Sequence, residues 1–569
     1  MTGAHVLPAD AFDELLGGGG GPATVAALRA SERSWRLLVV RALIDAYGTA
    51  PDGAWELLMR ARAADEAAFE ELLAYPAVGV WAAHTLRRLR GSAAGTEPPD
   101  TGYLHAVAAS AAIRAGLDFR TVVPVREGWA VLPALGAVRV PGADTAEVSA
   151  AQGRVLVAGE PLEGPRWHPL TRLRADGWAL VLDDADPYRS LRTPLSTEPV
   201  DAEGWQELFA GAWEILRALD AEAARALAGG LVTLVPRPRA ERFRPHSASS
   251  GDAFGAALVS VPDDAEQLAA TLVHEFQHNK LSAFMHLFTL YEDQDQDQDQ
   301  DQDRDRDQGR DQGRGQRLHY APWRDDPRPL GGLLQGVYAF FGVTGFWRRR
   351  EHPLGRFEFA LWREQTAHAL RGIAAADGLN ERGRRLVAEL TERLSPWLAE
   401  PVEGDALGAA ELAAADHRAT WRAYHLRPDP RVVRAHLEGR PLDEGAPELV
   451  PGVPARGLDT RATLLRRRLA DPAGFDALRE DPGAAVEGAR PEDIALVTGD
   501  TAGALAAFRA RLLRGDGDPE TWVGLGLAAR AAGDPAGEAL LGRPELVMAA
   551  HAELGWESDP LETARGLLG

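Results

Sequence analysis

The chain has 569 residues, 45% hydrophobic and 26% charged, with a net charge of −22 and no cysteine. That length leaves room for two to four domains of ordinary globular composition, and the acidic balance argues against nucleic acid or an anionic membrane as the main partner. The absence of cysteine excludes disulfides, thiolate metal ligands and a cysteine nucleophile.

In chain order, residues 1–120 form a helical N-terminal region, with apolar residues at three-and-four spacing in "PATVAALRASERSWRLLVVRALIDAYG" and "AAFEELLAYPAVGVWAAHTLRRLRG". The opening "MTGAHVLPADAFDELLGGGG" has neither a basic n-region nor an apolar h-region, and no run approaches about 18 consecutive apolar residues, so a cytoplasmic protein with no membrane partner is expected. Residues 121–245 change to a mixed strand and helix region. Short apolar runs cut by Gly and Pro ("TVVPV", "GWAVLPALGAVRVPG", "GRVLVAGEPL", "GWALVLDD") predict strands, and "GWQELFAGAWEILRALDAEAARALAGG" predicts helix. Residues 246–380 hold the candidate catalytic core. The runs "LVTLVPRP" and "AFGAALVSV" read as strands leading into a long helix, and the Asp-Gln run 293–317, without an apolar residue, reads as a disordered insertion. Residues 381–569 read as helical and repeat-like, because Trp522 with Leu525-Gly526 matches the W-x2-L-G of a tetratricopeptide unit near 500–550. The expected fold class is therefore α+β, predominantly helical, with a zincin-like metal-site helix beside a small mixed sheet.

Within the long helix lies His274-Glu275-Phe276-Gln277-His278, an HExxH motif. A helix through 264–288, started by Asp263 and Glu266 as a capping pair, puts His274 and His278 one turn apart on one face as metal ligands. Glu275, about 100° around, is placed to act on a metal-bound water as the catalytic residue. The upstream "AFGAALVSV" has the character of an edge strand lining a substrate cleft. A zinc metalloprotease acting on a leader or precursor peptide is one reading.

The third ligand decides the chemistry, and the protease templates fail there. The metzincin extension needs Gly and His where the chain has Leu281 and Phe284. Glu351, Glu358 and Glu364 stand in no second motif, and His286 points roughly 80° away from the histidine pair. His319, Asp325, Asp326 and Gln335 remain. A two-histidine, oxygen-donor set suits non-haem Fe(II) as well as Zn.

Together "LAATLVHEFQHNKLSAF", "YAPWRDDPRPLGGLLQGVYAFFGV" and "LPADAFDELLGGGG" resemble the HExxH-motif peptide-modification family of ribosomal peptide natural-product pathways, over roughly residues 1–370. The resemblance implies an Fe(II)- and α-ketoglutarate-dependent β-hydroxylase of a precursor peptide, working beside a radical-SAM maturase. It implies iron on His274 and His278, a proton-handling Glu275, and the loop Trp323–Arg328 close to the site. Gln335 stands where members are expected to carry His, so the third ligand stays open between Gln335, His319 and Asp326. Arg324 and Arg328 are the nearest guanidinium groups for the distal carboxylate of α-ketoglutarate, the alternative being an ion pair with Asp325 or Asp326. Arg348, Arg349 and Arg350 are a second choice, or a solvated helix end.

Overall fold

Local sequence signals set where each element starts and stops. The predicted helix at 204–230 is two helices, Ala202–Leu219 and Ala221–Gly230, because Asp220 leaves helical geometry and its carboxylate accepts from the Glu222 and Ala223 amides, capping the second. Hairpins in the strand region turn at Glu127-Gly128, Gln152-Gly153 and Ala158-Gly159, where both residues of each pair have positive φ, the geometry of tight two-residue turns. The computed structural model describes residues 6–47, 53–92, 98–190, 200–292, 317–440, 445–451, 453, 457–479, 481–555 and 557–568. The Asp-Gln insertion expected at 293–317 lies outside these residues except for Arg317. The architecture is α+β and predominantly helical, in two compact units, Met1–Asp303 and Arg304–Gly569.

The first unit opens with helices Ala9–Leu16, Pro22–Tyr47, Ala54–Ala64, Glu66–Leu73, Pro76–Leu89 and Tyr103–Arg114. A seven-stranded antiparallel sheet follows. Its central strand Phe119–Arg126 pairs with Trp129–Leu132 on one side and Thr145–Ala151 on the other. The two edge strands, Glu160–Pro161 and Trp167–Pro169, are separated by only five residues of chain. Helices and sheet share one core around Trp81, Tyr103, Val123 and Leu132, each large side chain contributing about 1.5–3 kcal/mol by leaving water.

A second, five-stranded sheet carries the site. Its order is Ser247–Ala248, Ala256–Ser260, Thr233–Arg237, Trp178–Leu182, Thr171–Ala175, and the three middle strands run parallel. The strand Ala256–Ser260 is therefore not the edge expected from sequence. Ser247 and Ala248 pair with Val259 and Leu258 on its outer side, and all five of its residues are buried.

The second unit contains Leu330–Trp347, Pro353–Ala374, Glu381–Leu398 and Ala406–His425, followed by shorter helices. Leu330–Trp347 is apolar and long enough to cross a membrane by composition, but 72% of its 18-residue window is buried within the fold, as in a core helix. In the repeat-like segment, helices Thr501–Leu513, Pro519–Ala531 and Ala536–Gly542 pack in succession. A Cβ on Gly524 would lie 2.4 Å from the Phe508 ring and one on Gly526 2.8 Å from Leu540, so these two positions are where neighbouring helices approach.

The helical layer of the first unit is tied to its second sheet by a buried carboxylate pair. After Trp178–Leu182 the chain turns at Asp183, whose Oδ1 accepts the Ala185 and Asp186 amides. Its Oδ2 accepts the Tyr75 hydroxyl, and Asp186 accepts the Tyr103 hydroxyl at 2.6 Å and the Tyr188 amide at 2.8 Å. Burial, reinforced by the Asp183 charge, lifts Asp186 from 3.8 to about 7. The folded chain thus keeps a proton that the unfolded chain releases near pH 4, and stability falls as pH rises from about 4 to about 7. Burial raises Asp183 as well, so Asp186→Asn removes the Asp186 share of that dependence. Its melting temperature relative to the parent is expected to rise across this window, and a pH-independent difference would contradict the buried-acid account.

Candidate metal centre

The helix Ala265–Leu287 starts at Asp264, whose carboxylate accepts the Gln267 amide at 2.8 Å, while the Gln267 side chain returns to the Asp263 amide, also at 2.8 Å. This reciprocal cap sits one residue later than the Asp263–Glu266 pair expected from sequence. Once started, the helix is fixed in rotation by contacts on its other faces. Asn279 accepts the Gly255 amide at 2.6 Å and donates to the Ala256 carbonyl at 3.1 Å, fastening the helix to the parallel strand. Gln277 donates to the Gly18 carbonyl at 3.0 Å and the Lys280 ammonium to Gly19 at 2.6 Å. Phe276 fills the space above Gly230, where a Cβ would come within 2.2 Å of its ring.

The "LPADAFDELLGGGG" segment is therefore a wall of this helix. Its glycine run offers backbone carbonyls, and Phe12 packs on Phe284 and Phe288 at ring distances of 5.4 and 5.2 Å. Burial lowers Lys280 to about 7, against the pull of Glu14. Gln277, Asn279 and Lys280 were not singled out from sequence. Their signal was three polar residues in four positions of a helix that also carries the motif.

With those faces engaged, His274 and His278 share the remaining one. Their Nε2 atoms are 3.0 Å apart and the rings meet at 76°. Burial, with His278 beside it, pushes His274 well below the usual imidazole range, so the ring is neutral and its lone pair is available to an ion. An ion about 2.1 Å from each nitrogen spans 3.0 Å when the two bonds meet near 90°. Glu275 is fully buried, its Oε1 3.9 Å from His274 Nε2. Among the described residues no group of three or more His, Asp or Glu side chains is gathered to hold an ion.

His286, excluded from sequence as a co-ligand, is engaged elsewhere: its Nδ1 is 2.8 Å from Glu32 and its ring stacks on Trp35. Glu358, one of the carboxylates considered as a third ligand, is held by Arg466 at 2.6 Å and by the Trp362 indole at 2.7 Å.

The remaining sequence candidates belong to the second unit. His319 and Arg328 pair through their backbones at 2.7 and 2.9 Å, closing the loop between them. Within it, Arg324 Nε lies 3.1 Å from Asp326 Oδ1 and Arg328 Nε 3.3 Å from Oδ2, so the ion-pair alternative is present. Burial raises Asp326, but the two guanidinium groups outweigh it and hold the carboxyl below its ordinary value. The Asp325 carbonyl accepts from the His425 ring at 2.7 Å. Burial, with Arg317 adding to it, lowers His319, keeping its imidazole neutral. Gln335 is buried on Leu330–Trp347. Arg348 pairs with Glu400 at 2.6 Å and lies over Trp397, a helix-end role.

Trp323 explains part of the second motif. It stacks on Phe340 at 4.9 Å and covers Gly336, where a Cβ would sit 2.3 Å from the indole. Gly336→Ala is expected to cost about 1–3 kcal/mol by overpacking, seen as a lower melting temperature with shifted tryptophan emission; unchanged values would remove Trp323 from that position. His274→Ala and His278→Ala are each expected to weaken anaerobic Fe(II) or Zn(II) binding by more than about a hundredfold while the fold persists. Equal affinity in either variant would dismiss the pair as the metal clamp. Searches against protein-family models and curated proteins return no match to this chain.

Proposed function

We propose that the chain is an Fe(II)- and α-ketoglutarate-dependent hydroxylase acting on a side-chain β-carbon of a ribosomally made precursor peptide, in the cytoplasm and on a zincin-like metal-site helix. The observation that carries this reading is the 3.0 Å separation of the His274 and His278 Nε2 atoms. At that spacing both nitrogens can reach one ion at about 2.1 Å each. Octahedral geometry leaves room for a bidentate co-substrate and dioxygen besides the protein donors.

His274 and His278 would hold the iron, and within the second unit Asp326 pairs with Arg324 and Arg328. Arg324 and Arg328 share that one carboxylate, and on this reading their guanidinium groups would turn to the distal carboxylate of α-ketoglutarate. Bound iron would supply oxygen activation. Glu275 would accept or return a proton next to His274. Overall, peptide C–H, dioxygen and α-ketoglutarate give peptide C–OH, succinate and carbon dioxide.

A second reading, a zinc metalloprotease, is favoured by one observation, the buried Glu275 carboxylate 3.9 Å from His274 Nε2, where it could work on a metal-bound water. The experiment that separates the two incubates the anaerobically purified chain with Fe(II), α-ketoglutarate, oxygen and the peptide encoded beside its gene. A mass gain of about 16 Da with matching succinate, lost when α-ketoglutarate is omitted, is expected. Cleavage products with zinc and no succinate would overturn hydroxylation in favour of the protease.

A further inference from the structure

The parallel strand Thr233–Arg237 leaves the second sheet through "RPRAERFRPH", residues 237–246, with four arginines against one glutamate in a chain of net charge −22. The loop is anchored to the segment that enters the metal-site helix. The Phe243 amide donates to Asp263 Oδ2 at 2.9 Å, Arg239 donates to the Pro262 carbonyl at 3.2 Å, and the His246 amide donates to Ser260 Oγ at 3.0 Å. Phe243 is held at φ +66°, a conformation that bulky side chains rarely adopt and that persists where neighbouring contacts impose it. Its ring carries the Arg242 guanidinium at 4.8 Å. Arg244 is neutralised by Glu241 at 2.5 Å, and Arg239 stands 4.0 Å from Asp263. Arg237 and the exposed Arg242 have no carboxylate partner among the described residues. Strain and three anchors hold an arginine cluster in place beside the start of the helix.

We propose that this loop is a docking site for an acidic stretch of the peptide substrate, an inference that rests on the peptide-modifying reading above. A long polyanion such as nucleic acid would be repelled by the rest of the acidic surface, whereas a short acidic peptide segment meets only the local charge. The site also sets a distance. His274 lies ten residues beyond Asp264, about 15 Å along the helix, which an extended peptide covers in about five residues. The modified residue is therefore expected about five or more positions from the acidic stretch.

The test uses the full chain without metal or α-ketoglutarate and follows the fluorescence anisotropy of a labelled Glu-Gly repeat peptide, with a Gln-Gly peptide as control. The Glu peptide is expected to bind more tightly than the Gln peptide, to weaken with added salt, and to lose about tenfold in affinity to Arg237→Gln/Arg242→Gln. The exposed Arg242→Gln alone gives a smaller loss in the same direction and carries the test if the double variant does not fold. Equal binding of the two peptides, or unchanged affinity in the folded variants, overturns the docking site. Because no turnover is involved, retained docking with no hydroxylated product would defeat the functional reading and not this one; hydroxylation unaffected by the Arg variants, in a chain that does not distinguish the peptides, would do the reverse.

Discussion

The rotation of the helix Ala265–Leu287 about its own axis is the constraint on which the site depends. A quarter turn would carry His274 and His278 into the sheet or the glycine segment. It is prevented by Asn279, which meets both a donor and an acceptor of the Gly255–Ala256 backbone. Leaving either group unmet in the interior would cost about 1–3 kcal/mol. Gln277 and Lys280 add the Gly18 and Gly19 carbonyls on another side. The histidines share a face of the helix apart from these contacts.

That arrangement accounts for features that otherwise look unrelated. The N-terminal glycine run supplies carbonyls that a helix or strand would have used up, and Gly20 has φ +126°, outside the range of ordinary side chains. Gly230 gives Phe276 its space. Gln277, Asn279 and Lys280 are buried around the helix because each has a specific backbone partner, the condition under which such burial is tolerated. The neutrality of His274 follows from the same enclosure.

Much of this was legible in the sequence. The helix through 264–288 follows from its spacing and its Asp-rich start, and the hairpins from their Gly-containing turns. The shared face of His274 and His278 follows from helical period alone. What escaped depends on long-range pairing. The strand Ala256–Ser260 reads as an edge because a two-residue partner, Ser247–Ala248, has no pattern of its own. Asn279 and Lys280 look like solvent-facing residues of an amphipathic helix, and only the approach of residues 18–19 and 255–256 gives them work. Arg324 and Arg328 share Asp326, each two residues of chain away, a pairing that the loop's composition permits without requiring.

The proposed chemistry requires α-ketoglutarate to join the ion carried by His274 and His278, and visible absorption reports that union directly. Adding α-ketoglutarate to the anaerobic Fe(II)-loaded chain is expected to produce a metal-to-ligand charge-transfer band that is absent with either component alone. A fully iron-loaded chain whose visible spectrum does not change on saturation with α-ketoglutarate would contradict the account.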